Sequence, residues 1–190
     1  IKPIDHRDHK EMLADSYKSS ESSIIFSSGG TSGNPKLTLL SFKEVINNTS
    51  FHGQGYACAG IRKQDIVATF GLPAIFSSEF TVYLGLRKTG CLILPIGEFK
   101  DTAQVIKIIK EFNATVLLVM PSDLIPIMEY LEETNDRLEK IRLVVTGGEG
   151  LYRGFKDKAK QTIGENLNLT FRSTFQTSDS GTIGYQCRYL

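Results

Sequence analysis

The stretch Ile24-Ile25-Phe26-Ser27-Ser28-Gly29-Gly30-Thr31-Ser32-Gly33-Asn34-Pro35-Lys36 decides how this chain is read. Its apolar start predicts a buried strand. The strand leads into a loop whose three glycines, Gly29, Gly30 and Gly33, leave the backbone free to bend and to approach a ligand closely. The hydroxyls of Ser27, Ser28, Thr31 and Ser32, the loop N–H groups and the charge of Lys36 are donors suited to phosphate oxygens. A loop built this way suits a nucleoside triphosphate. It is not the common phosphate loop, which needs Gly, four residues, then Gly-Lys-Ser/Thr. Five residues after Gly29 stands Asn34, five after Gly30 stands Pro35, and Lys36 is followed by Leu37. Leu37–Leu40 reads as a second strand and the next helix begins at Ser41, so the phosphates would sit in a hairpin-like loop. The plainer alternative is an ordinary Gly/Ser/Pro turn between strands.

Outward from this loop the pattern alternates. Strands are expected at 23–27, 37–40, 66–70, 91–94, 115–119, 142–146 and 167–171. Helices are expected at 41–59, 78–89, 102–112, 122–133 and 151–163. Val105, Ile106, Ile108, Ile109 and Phe112 recur at helical spacing, with lysines on the other face. Thr115–Val119 and Leu143–Val145 carry the unbroken apolar runs of strands covered on both faces. The expected fold class is α/β: a layered domain with a mainly parallel sheet flanked by helices. Ligands in such folds collect beyond the C-terminal ends of the strands. Residues 1–22 are expected to be a polar N-terminal segment and 23–190 an ATP-binding core. Asp8–Tyr17 reads as a short helix, and His6 and His9 beside Asp5 and Asp8 read better as a solvated segment than as a metal site.

Bulk properties narrow the function. The 190 residues suffice for a real core. Apolar content is 41%, charged content 23% and formal net charge +1, as in an ordinary soluble domain. That charge argues against a general nucleic-acid binder or a polybasic membrane anchor, and no apolar run is long enough for a transmembrane helix. Cys58, Cys91 and Cys187 lack zinc or redox spacing. Cys58 and Cys91 read as core thiols, and a reducing cytoplasm is the expected location. The start at Ile1 is neither an initiator Met nor a signal peptide, so a fragment or processed form is expected.

Two later loops match the first. Gly147-Gly148-Glu149-Gly150 comes after the 142–146 strand and offers bare backbone to a flat ligand; Glu149 there would also start or precede the 151–163 helix, where a carboxylate is favoured by the dipole. Phe175-Gln176-Thr177-Ser178-Asp179-Ser180-Gly181 is expected as a loop after the 167–171 strand. Phe175 has a flat apolar face for a base, Thr177 and Ser178 have hydroxyls for phosphate, and Asp179 is a hard oxygen ligand suited to Mg²⁺. If their strands are parallel neighbours, the three loops converge on one site.

These residues resemble the adenylate-forming superfamily of acyl-CoA synthetases, adenylation domains and luciferases. Ser28–Lys36 is similar to its Thr-Ser-Gly-Thr-Thr-Gly-x-Pro-Lys loop, Gly147–Leu151 to Gly-Gly-Glu-x-Leu, and Phe175–Asp179 to Tyr-Gly-x-Thr-Glu. Ser180–Gln186 resembles the phenylacetate–CoA ligase branch, and the double glycine resembles acyl-protein synthetase-like members. The resemblance covers roughly residues 20–187. It implies ATP-dependent activation of a carboxylic acid to an acyl-adenylate with release of pyrophosphate, then transfer to a thiol such as coenzyme A. It implies that Ser28, Gly29, Gly30, Thr31, Ser32, Gly33 and Lys36 wrap the β- and γ-phosphates. It implies that Gly148, Glu149 and Gly150 line the adenine, that Phe175 packs on the base beside Gln176 and Thr177, that Ser178 reaches the α-phosphate and that Asp179 holds Mg²⁺. Lys36, Ser178 and Asp179 are the candidate catalytic set.

Departures qualify that reading. Asp179 stands for the usual Glu and Phe175-Gln176 for Tyr-Gly. Pro73–Glu79 contains no His, leaving Phe76 and Ser77 as candidates to border the acid pocket. The ribose-binding Asp, hinge and small C-terminal domain with its Lys would lie beyond Leu190, so the 190 residues are expected to bind nucleotide better than they turn it over. The alternative is a non-catalytic nucleotide- or acyl-binding module on the same fold. The expected partners are a small carboxylic acid, aromatic by the branch resemblance, and a thiol acceptor; a homodimer through 83–94 or the open sheet end is a further expectation.

Overall fold

A computed structural model of the protein describes residues 23–28, 37–71, 77–164, 169–177 and 181–187. Five helices accompany eight strands there: β1 (Ser23–Ser27), β2 (Leu37–Ser41), α1 (Phe42–Ala59), β3 (Ile66–Thr69), α2 (Ser77–Leu86), β4 (Leu92–Pro95), α3 (Thr102–Glu111), β5 (Val116–Val119), α4 (Pro121–Thr134), β6 (Leu143–Thr146), α5 (Phe155–Ile163), β7 (Thr170–Thr177) and β8 (Gly181–Tyr185). Six strands form one sheet in the order β4-β3-β5-β6-β7-β8. All its pairings are parallel except β7–β8. The α/β reading therefore stands.

The condition of parallel neighbours is met for β6 and β7 but not for β1, whose pairing agrees with the hairpin-like reading of the first loop. β1 pairs antiparallel with β2 in a separate two-stranded sheet, from Ser23↔Ser41 to Ser27↔Leu37. The connection from Ser28 to Lys36 is short enough for a hairpin, whereas parallel pairing needs a crossover of about a dozen residues or more.

The unbroken apolar strands are explained by their two faces. Along β5, Leu117 and Val119 pack with Leu124, Ile127 and Met128 of α4 and Phe155 of α5. Val116 and Leu118 face the other way, toward Tyr56 and Ala59 of α1 and Leu86 of α2. Alternate side chains of β5 thus enter two separate cores, and all four of its positions are apolar and buried.

Local chemistry sets the helix ends. Ser41 and Glu44 form a reciprocal capping box on α1: the Ser41 hydroxyl accepts from the Glu44 N–H at 3.3 Å and the Glu44 carboxylate accepts from the Ser41 N–H at 2.8 Å. Gly60 ends α1 at φ +112°, a left-handed conformation that glycine adopts freely. α1 and α2 approach backbone to backbone: a Cβ on Gly85 would lie 2.8 Å from the His52 Cβ, and one on Gly53 would lie 2.9 Å from the Gly85 carbonyl.

The N-terminal ends of three strands are held by one buried carboxylate. Asp65, 2% exposed, accepts from the Arg142 Nε at 3.0 Å and Nη2, the Arg62 N–H at 2.7 Å and the Thr115 hydroxyl at 2.9 Å. Arg142 also donates to the Gly60 carbonyl at 2.8 Å. Burial alone would raise the Asp65 pKa, but these hydrogen bonds and the guanidinium charge hold it below the ordinary carboxylate value.

Some expected details differ. α5 starts at Phe155 rather than Leu151. β7 runs on to Thr177 where a loop after Phe171 was expected. Cys58 and Cys91 are half-buried, unbridged thiols, Cys91 packed at the edge of the α1–α2 core. The expected N-terminal segment lies outside the described residues.

Stability should respond to change at two buried side chains. Asp65→Asn leaves Arg142 without its counter-charge and should cost on the order of 3 kcal/mol, read as a lower urea midpoint. His52 is 4% exposed, and burial lowers its pKa to about 4. The unfolded chain takes up a proton near pH 6.5 and the folded one does not, so stability should fall as pH drops from about 6.5 toward 4. Urea titrations at about pH 7.5 and about pH 5 should show a larger loss for the wild type than for His52→Gln.

Candidate active site

The C-terminal edge of the parallel sheet carries a cavity of about 60 Å³. Phe70, Met120 and Gly148 reach it from just beyond β3, β5 and β6. Tyr56 of α1 and Val82 of α2 close one side, and Thr174 and Gln176 of β7 the other. Two of the three motif regions therefore meet at one cavity. A larger hollow of about 460 Å³ opens at the opposite end of the sheet, among Asn113, Arg137 and Lys140, and touches none of the expected site residues.

Close packing explains the double glycine. A Cβ on Gly147 would lie 2.5 Å from the Thr174 hydroxyl oxygen, inside any permitted contact. Gly148 has φ +82°, and a Cβ there would be 3.3 Å from the Met120 sulfur. Neither position accepts a side chain without displacement or strain.

Glu149 precedes α5 without capping it. Its carboxylate accepts from the Ser122 N–H at 2.9 Å and the Ser122 hydroxyl at 2.8 Å. The N-cap of α4 is Met120, whose side chain makes no capping bond. Glu149 supplies the missing oxygen from another loop and sets its charge against the positive end of α4. Neighbouring Asp123 feels this: burial first, then the charges of Glu149 and Glu98, raise its pKa. No sequence pattern near Ser122 announces a cap that comes from 27 residues away.

Phe175 and Gln176 are corrected from loop to strand. A register shift between them changes the pairing from Phe175↔Gly184 to Gln176↔Thr182, and such irregularities re-aim side chains. Phe175 is 62% exposed, an open apolar ring, while Gln176 turns to the cavity. Thr177↔Gly181 pairs at the base of the three-residue connection that contains Ser178 and Asp179. Ser28 comes directly after β1 and is half-buried. Gly150 has open space around its α-carbon. Gly29, Gly30, Thr31, Ser32, Gly33, Lys36, Ser178 and Asp179 lie outside the described residues, as does Phe76; Ser77 opens α2.

α1 joins the two hairpins that flank these segments. It starts directly after β2, and a Cβ on Gly181 would rest 3.5 Å from Asn48 in its second turn. Tyr56 and Val82 are site residues that sequence reading missed. The signal available was the small-residue pair Gly53 and Gly85, which lets α1 and α2 close on the sheet.

Glu149→Ala should lower stability by about 1 kcal/mol through loss of the cap. In a double-mutant cycle with Ser122→Ala the two losses should fall short of additivity, because both remove the hydroxyl–carboxylate bond, while the Ser122 N–H bond is lost only in Glu149→Ala.

The chain matches the family model for AMP-binding enzymes over residues 5–171. It is 28% identical over 127 residues to an acyl-CoA ligase of Penicillium expansum, covering 63% of this chain and 24% of that one. It is 22% identical over 108 residues to a phenylacetate-coenzyme A ligase of Aromatoleum evansii, covering 57% and 24%. An open 2-hydroxyisobutyryl-CoA ligase solved with 2-HIB-AMP and CoA superposes with a TM-score of 0.75 at 17% identity, over 93% of this chain and 43% of that one. The chain thus spans about a quarter of the length of these curated relatives. With the fold, the motif order and the family match in agreement, this chain belongs to the AMP-binding enzymes.

Proposed function

We propose that the protein activates a carboxylic acid with ATP and passes the acyl group to a thiol such as coenzyme A. In the first step a carboxylate oxygen attacks the α-phosphorus. A new P–O bond forms, the α–β bridge breaks, and pyrophosphate leaves. In the second step a thiolate attacks the acyl carbon and AMP leaves. The observation that carries this reading is the shared cavity: Gly148 after β6 and Gln176 in β7 border one space at the sheet edge where α/β folds hold ligands.

The roles rest on residue chemistry and on the family. Ser28, Gly29, Gly30, Thr31, Ser32, Gly33 and Lys36 would take the β- and γ-phosphates. Gly148, Glu149 and Gly150 would border the adenine, and the open ring of Phe175 would stack on it, beside Gln176 and Thr177. Ser178 would reach the α-phosphate. Asp179 would give one oxygen to a Mg²⁺ that otherwise keeps phosphate and water as ligands. That ion supplies charge neutralisation when bound. Catalysis is chiefly positioning and charge stabilisation, since attacker and target are both anionic. Three unbridged cysteines fit a reducing cytoplasm, and no helix among the described residues is long and apolar enough to cross a membrane.

The test is acid-dependent ATP–pyrophosphate exchange by the full-length protein. Lys36→Ala and Asp179→Ala should each lower the exchange rate by roughly 10²-fold or more, the usual effect of losing one charge-stabilising group. ATP binding with no exchange for any carboxylate would instead identify a non-catalytic nucleotide-binding module.

A further inference from the structure

The cavity at the sheet edge has a direction. Its mouth is polar and open: Gly148 is exposed, Gln176 half-buried, and the Thr174 hydroxyl lies within 3.4 Å of the Thr146 carbonyl. Its floor is apolar and closed. Tyr56 is 3% exposed there, and burial raises the pKa of its phenol so that it stays neutral. Val82 and Phe70 complete the wall, and no charged side chain lines the cavity among the described residues.

Resting on the acid-activation reading, we infer that this cavity receives the acid's chain, that the acid is short and uncharged beyond its carboxylate, and that Tyr56 sets the limit of its length. The carboxylate belongs at the mouth, near the Gly148 and Gln176 side where the nucleotide is proposed to lie. The chain runs inward toward Tyr56. An apolar cavity of about 150 Å³ holds one benzene ring, so 60 Å³ takes a chain of roughly two or three carbons and excludes a ring. A second charge inside would meet no counter-charge among the described residues and would be costly to desolvate.

The floor is held in place by backbone contact. A Cβ on Gly85 would lie 3.1 Å from the Tyr56 ring, so α2 packs directly against the ring's back. The ring cannot swing away without moving α2, which makes the limit on chain length a hard one.

The experiment is ATP–pyrophosphate exchange by the full-length protein with acetate, butyrate, hexanoate, benzoate, octanoate, palmitate and succinate. Butyrate should give the highest kcat/KM, with benzoate, palmitate and succinate at least tenfold lower. Tyr56→Ala should move the optimum to hexanoate or beyond. Val82→Phe, which fills the cavity instead of emptying it, should move the optimum to acetate and keeps the proposal testable should Tyr56→Ala not fold. A wild-type preference for benzoate, palmitate or succinate, or an unchanged acid profile in Val82→Phe, overturns this inference and leaves acid activation standing. Exchange with none of the acids overturns both.

Discussion

The Asp65–Arg142 pair sits at the root of this architecture. A carboxylate buried between strand ends must be paired, because an isolated charge there is far costlier than a neutral group. Its partners come from three places: Arg62 before β3, Thr115 before β5 and Arg142 before β6. Arg142 adds the end of α1 through the Gly60 carbonyl. Satisfying one carboxylate therefore sets the relative heights of three adjacent parallel strands. Since those strands are short, a fixed N-terminal end also fixes where the C-terminal ends finish, and the cavity lies at that finish.

From there the two cores act differently. The α3–α4–α5 side is a dense aliphatic cluster with large, fully buried side chains such as Leu124, Ile127, Leu131 and Phe155. The α1–α2 side depends on small residues at the helix crossing, Gly53 and Gly85, and carries Tyr56 and His52 within its packing. The first side provides stiffness. The second shapes the space next to the proposed nucleotide site, and it is the side where small changes of volume would be felt by a ligand.

Glu149 shows how one residue serves fold and site together. Its carboxylate caps α4 from a loop beyond β6. The cap holds Met120 beside Gly148, so the loop's backbone is pinned where a ligand would lie. A family motif residue can thus have a structural reason to be acidic, whatever it contributes to nucleotide binding.

The sequence alone determined the class of fold, because alternating short apolar runs and amphipathic stretches have few other stable arrangements. Helix α1 was legible to within a residue, since Ser41 and Glu44 carry their capping chemistry locally. So was the turn at Gly147 and Gly148, whose constraints are backbone ones. Tertiary structure decided what depends on partners distant in the chain. It decided the separate β1–β2 sheet, the extension of β7 through Phe175 by pairing with β8, the docking of Glu149 on α4 and the convergence of Tyr56 and Val82 on the cavity. Strand pairing, cross-loop caps and cavity walls arise from residues tens of positions apart, and a linear pattern records each residue's type without recording its neighbour.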